Sequence, residues 1–141
     1  MRRRLGLPIG LSLLIILASC ATLLVAAHPG TLGCPGSAAT SVINCDAVIS
    51  STGGHILGLP LGFWGLTWVA VYWAALLGAP RLVTSLVAVA GFLGVAYAIG
   101  TELHVGHLCV WCTADQTAIV LLAVWTLKTR PDGRQGHERQ G

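Results

Sequence analysis

Four apolar stretches, each about long enough to cross a bilayer, constrain this 141-residue chain more than any other feature. A hydrocarbon core about 30 Å thick is crossed by roughly 20 helical residues. Residues 7–27, 56–77 and 82–100 contain no Asp, Glu, Lys or Arg, and residues 108–127 contain one acid, Asp115. Backbone polar groups in lipid must pair within their own segment, so each stretch is expected to be helical. Only 9% of the residues are charged, against about 25% in a typical soluble domain, which excludes an ordinary water-soluble globule. The 55% hydrophobic content excludes disorder. The expectation is an all-α membrane protein, a four-transmembrane-helix bundle with outer loops 28–55 and 101–107. The folded domain covers 1–128, and 129–141 forms a cytoplasmic polar tail.

The eight basic residues fall on one side of these spans. Arg2, Arg3 and Arg4 precede the first, Arg81 lies between the second and third, and Lys128, Arg130, Arg134 and Arg139 follow the fourth. The loops 28–55 and 101–107 have neither Lys nor Arg. The positive-inside rule then puts both termini in the cytoplasm and those two loops outside, in a multi-pass plasma (inner) membrane protein. The charges set topology and form no basic stripe, so nucleic acid is not an expected partner. At the N-terminus, Arg2–Arg4 and Leu17-Ala18-Ser19-Cys20 resemble a signal peptide with a lipoprotein cleavage box. The apolar run continues through Ala27, however, which favours a retained helix.

Small residues let helices approach closely in lipid. Ala90, Gly94 and Ala98 share one face of the third span, and Gly58, Gly62 and Gly65 recur near the start of the second, so both sets are expected at helix contacts. Pro60 fits a first helical turn, where a missing N–H costs little. Trp64, Trp68 and Trp111 lie toward the outer ends. They read either as an interfacial belt or as walls for a flat, ring-shaped ligand.

Of the five cysteines, Cys20 is mid-span and expected to be a small buried apolar residue. Cys34, Cys45, Cys109 and Cys112 all fall on the outer, oxidising side, where disulfides persist. Cys109-Val110-Trp111-Cys112 opens the fourth span. Residues three apart share a helix face, and the helix N-terminus favours a thiolate, so this pair suits redox exchange. Metal is the competing reading, because His104, His107, Cys109 and Cys112 form a compact string of zinc-type ligands. Cys34 and Cys45 read either as a structural staple or as a disulfide that exchanges with the CxxC pair. With no nucleotide or haem motif in the chain, the electron acceptor must be lipid-soluble, and a quinone fits. Gln116 lies nearly on the cysteine face and is suited to hydrogen-bond a quinone carbonyl. Asp115 lies about 60° around the helix from Cys112. An acid within the membrane reads as a proton donor or as a polar contact between helices.

Two loop cysteines ahead of the second span, followed by a CxxC opening the last of four spans, resemble the vitamin K epoxide reductase family. The segment Cys45-Asp46-Ala47-Val48-Ile49-Ser50-Ser51, followed by Leu59-Pro60-Leu61-Gly62-Phe63-Trp64-Gly65-Leu66, is similar to bacterial members, and the resemblance covers about 7–128. The disulfide bond formation protein B family has these cysteine pairs in the opposite order.

The resemblance implies a bundle around a quinone pocket capped by the outer loop, with menaquinone or ubiquinone as acceptor. It implies that Cys34/Cys45 take electrons from a thioredoxin-like extracytoplasmic partner, that Cys45 exchanges with Cys109, and that Cys112 faces the quinone. Ser51 occupies the position of a family serine that could polarise a quinone oxygen or orient a thiol; its hydroxyl could equally cap a short loop helix. The Cys34–Cys45 spacing is longer than is usual in the family. Where the vertebrate enzymes carry a quinone-binding Asn and Tyr, this chain has Leu61 and Gln116. No fused thioredoxin domain is expected after the last span, so the partner is a separate protein. The function expected is a quinone-dependent thiol–disulfide oxidoreductase with catalytic Cys34, Cys45, Cys109, Cys112 and Ser51, and quinone-binding Trp64, Trp68, Trp111 and Gln116. Reduction of vitamin K or its epoxide is the alternative within the family. A non-enzymatic tetraspan protein with a structural disulfide or zinc site is the alternative outside it.

Overall fold

The computed structural model describes residues 2–34 and 42–129, with side chains from Gly6 onward. The middle of the outer loop and the polar tail from Arg130, including Arg134 and Arg139, lie outside the described residues. The elements are α1 (Arg2–Ala27), α2 (Cys45–Ile49), β1 (His55–Ile56), β2 (Leu59–Pro60), α3 (Leu61–Gly78), α4 (Arg81–Val105) and α5 (Val110–Thr129). Among the described residues, α1, α3, α4 and α5 are long and apolar enough to cross a membrane. They form an antiparallel bundle in which α5 packs against α1 and α4, and α3 against α1 and α4. Arg81 and Lys128 lie at one end, and all four loop and CxxC cysteines lie at the other.

The second apolar stretch does not begin as a helix. His55–Ile56 and Leu59–Pro60 pair as a two-residue antiparallel ladder, turned by Leu57 at φ 55° and Gly58 at φ 78°. Two successive positive φ values are what a tight two-residue hairpin requires. Gly58 is therefore a turn residue rather than a helix contact, and Pro60 caps α3 instead of entering it. The third stretch runs longer than its charge-free part, since α4 continues through Thr101 and Glu102 to Val105. It stops at Gly106, whose φ of 75° and N–H bond to the Glu102 carbonyl (2.9 Å) make a left-handed cap.

Gly62 and Gly65 do sit at helix contacts. A Cβ on Gly62 would come within 2.7 Å of the Ser19 carbonyl, and one on Gly65 within 2.5 Å of Ser19 Oγ. Ala90, Gly94 and Ala98 do not pack a helix; they border a cavity, and nothing lies within 4 Å of a Cβ built on Gly94. Cys20 also departs from expectation: it is free and exposed on the outer face of α1. A face toward lipid is as apolar a solvent as a core, so hydropathy alone does not distinguish the two.

The inner half of the bundle is sealed around Tyr72, which is fully buried with Ile15, Val69 and Leu122. Its hydroxyl shares a 2.7 Å hydrogen bond with Thr126 Oγ1, and Trp73 Nε1 donates to Ser12 Oγ at 2.8 Å. The outer half is built around sulfur. Cys34, Cys45 and Cys109 are buried together with Val25, Val48 and Ile49.

Candidate active site

Cys45 opens α2. Asn44 precedes it in extended conformation and accepts a 3.1 Å bond from the Ala47 N–H, a side-chain cap that starts the helix at the cysteine. The strand leading into this cap forms a parallel bridge with the start of α5, Ile43 opposite Leu108. Asn44 N–H donates to Leu108 O at 3.0 Å, and Leu108 N–H donates to Val42 O at 2.8 Å. Cys45 follows Asn44 and Cys109 follows Leu108, so the bridge brings these two cysteines into one buried cluster.

Cys109 in turn caps α5. The Thr113 N–H donates to its carbonyl at 2.8 Å, and the Cys112 N–H donates to its sulfur at 3.2 Å. Both sulfurs of the pair thus lie at a helix N-terminus, where unsatisfied N–H groups favour negative charge. The four cysteines form two disulfide pairs. Cys34–Cys45 has a Cα–Cα distance of 5.6 Å across eleven positions, and Cys109–Cys112 one of 5.1 Å across three.

Cys112 is only half-buried and borders a small space lined by Thr22, Ile49, Leu61 and Gly62. Leu61 is also part of the wall of a much larger cavity, about 380 Å³, between α3, α4 and the outer half of α5. Its walls are mostly apolar, with Trp64 and Trp68 from α3 facing Gly91 and Gly94 from α4. Gly91 is required here, because a Cβ would come within 2.7 Å of the Trp68 ring. The indole N–H groups are engaged with backbone: Trp64 donates to Ile56 O at 3.2 Å and Trp68 to Val87 O at 2.9 Å. Polar chemistry is concentrated where Asp115 and Gln116 enter the wall. Flat indole faces, an apolar interior and polar groups in one part of the wall fit a quinone ring.

The expected site residues divide accordingly. Trp64, Trp68 and Gln116 line the cavity. Trp111 does not; it packs against the cysteine cluster, and its buried Nε1 has no hydrogen-bond partner among the described residues. Ser51 caps the 3₁₀ turn Thr52–Gly54. Its Oγ accepts from Gly54 N–H at 3.0 Å and donates to Val48 O at 2.6 Å, so the hydroxyl is engaged with backbone away from the cavity. Leu61 borders both the Cys112 space and the cavity. The string from His104 to Cys112 is not gathered into a metal site: among the described residues, no group of three His, Cys, Asp or Glu side chains is placed to hold an ion.

Glu102 is a residue that sequence reasoning missed. It is buried near the end of α4 and accepts a 3.0 Å hydrogen bond from Gln116 Nε2, which fixes the amide at the cavity wall. Its signal was an acid within reach of a span end, which the charge-free criterion assigned to the loop instead.

A model of the vitamin K epoxide reductase family matches residues 7–127, the whole bundle. No curated protein and no solved structure matches the chain. With its membrane-length helices, paired cysteines and family match in agreement, the chain belongs to the vitamin K epoxide reductase family, membrane thiol–disulfide oxidoreductases whose electron partners are quinones.

Proposed function

We propose that this protein reoxidises a thioredoxin-like extracytoplasmic partner and passes the electrons to a membrane quinone. A partner dithiol reduces the Cys34–Cys45 disulfide through a mixed disulfide and leaves as a disulfide itself. The Cys45 thiolate then attacks Cys109 of the second disulfide, Cys112 leaves as a thiolate, and Cys34 resolves the Cys45–Cys109 bond. The loop pair is thereby reoxidised and the CxxC pair is left as a dithiol. A quinone supplies the two-electron acceptor that returns Cys109 and Cys112 to a disulfide. Leu61, Trp64, Trp68 and Gln116 bind and orient its ring, and the apolar walls exclude water.

The observation that carries this reading is the Ile43–Leu108 bridge, which brings Cys45 and Cys109 into one cluster at the start of a helix whose next turns reach the cavity. The basic residues at the opposite end support an extracytoplasmic position for the cysteines by the positive-inside rule. Menaquinone and ubiquinone are the acceptors to test.

The test uses purified protein in detergent, fully reduced, with free thiols counted after a menaquinone or ubiquinone analogue is added. Wild type is expected to lose about four thiols in step with quinone reduction, as two disulfides require, and Cys112→Ala is expected to lose none to quinone. Persisting thiols with untouched quinone in the wild type would overturn the proposal.

A further inference from the structure

We infer that Asp115 is the proton donor to the acceptor oxygen, a role that rests on the quinone-linked reading above. Among the residues bordering the cavity, Asp115 is the one ionisable side chain. The other polar side chains of the wall each make a hydrogen bond of their own. Both indole N–H groups donate to backbone carbonyls, Thr67 Oγ1 donates to Phe63 O at 2.9 Å, and Gln116 Nε2 donates to Glu102.

The carboxyl of Asp115 is held from two sides. Ser19 Oγ, on α1, donates to Oδ1 at 3.3 Å. Oδ2 lies over Gly65 of α3, 2.8 Å from where a Cβ would stand, so any side chain at 65 would displace the carboxyl. Asp115 follows Cys112 by three residues, a neighbouring position one turn along the helix surface. Leu61 borders both the Cys112 space and the cavity into which Asp115 enters. Electron donor and carboxyl thus belong to one helical turn, on either side of one leucine. The groups facing the carboxyl are Ser19 from α1 and the Gly65 backbone from α3. α4 contributes no titratable side chain to the cavity wall, and Glu102 reaches it only through Gln116.

The step balances within the site. Oxidation of the Cys109 and Cys112 thiols forms one S–S bond and releases two electrons and two protons, and quinone reduction takes up the same number. Asp115 gives its proton to the ring oxygen as the electron pair arrives from the thiols. It recovers one of the two protons the thiols release and the other goes to the second ring oxygen, so no further reactant is needed.

The test compares wild type with Asp115→Asn, both anaerobic and fully reduced, mixed once with a short-chain ubiquinone analogue or with ferricyanide, which accepts electrons without protons. Quinone affinity is read separately, from quenching of tryptophan fluorescence in the oxidised proteins. The variant is expected to lose thiols to quinone about 100-fold more slowly, as removal of a general acid does. It should bind the quinone within about threefold of wild type and lose thiols to ferricyanide at the wild-type rate. Asp115→Val, similar in shape and without an exchangeable proton, repeats the comparison if the Asn variant does not fold. An undiminished quinone rate, equal slowing with both acceptors, or a rate loss matched by lost affinity would each overturn the role. A wild type that binds quinone but leaves its thiols reduced would instead overturn the function proposed above.

Discussion

The two cysteine pairs are held by opposite kinds of structure. Cys34–Cys45 closes a loop of eleven positions, whereas Cys109–Cys112 closes a single helical turn. Closing the longer loop removes more freedom from the unfolded chain, about 3 kcal/mol against about 2 on the chain-entropy model. The loop pair therefore ties more of the chain together, and both of its cysteines are buried in the sulfur cluster. The helical pair contributes less to holding the fold, and its position is fixed by the α5 backbone and by the N–H bond onto the Cys109 sulfur. The proposed roles match this division, since a pair proposed to meet another protein sits on a loop and one proposed to meet a small acceptor sits at a rigid helix.

The largest expected effect separates the pairs by stoichiometry. After full reduction and addition of quinone, Cys112→Ala should retain all its thiols, while Cys34→Ala should lose about two, those of the helical pair. Equal retention in both variants, by thiol counting, would show that the pairs act only as one unit. Next is the packing beneath the helical pair. Gly62→Ala would push a methyl against the Ser19 backbone, and thermal unfolding in detergent should show a loss of about 2–3 kcal/mol. Gly94→Leu fills open cavity space instead. It should slow quinone-linked thiol loss about tenfold, roughly 1.4 kcal/mol on the barrier, and leave exchange between the pairs unchanged in a mixed-disulfide trapping assay. The smallest effect falls beside the loop pair. Ser51→Ala removes the cap of the 3₁₀ turn and should lower stability by about 1 kcal/mol, with the quinone-linked rate within twofold of wild type. A rate loss of tenfold or more would assign Ser51 a chemical role.

The bundle and its cysteines were legible because lipid imposes simple rules. Span length, absence of charge and the position of Lys and Arg are all visible without tertiary information, and a CxxC at a helix start is a local pattern. What was not legible depended on neighbours. Glu102 is tolerated inside a helix end because Gln116, fourteen positions later, meets it, and a charge count cannot foresee that partner. The small-residue faces looked alike in sequence, yet Gly62 and Gly65 meet α1 while Gly94 meets empty space. Leu57 and Gly58 sat within an apolar run, so their hairpin was hidden by hydropathy. Trp111 shares the outer level of Trp64 but turns to the sulfur cluster instead of the cavity, a choice made by helix rotation.

The bridge between Ile43 and Leu108 has a consequence for how such a chain can change. It lies after the stretch from Cys34 to Val42 in the sequence. The register that brings Cys45 to Cys109 is set afterward, by two backbone hydrogen bonds that any sequence other than proline can make at the donor positions. On the proposed relay, the meeting of the two pairs would thereby survive changes of side chain along both bridged segments.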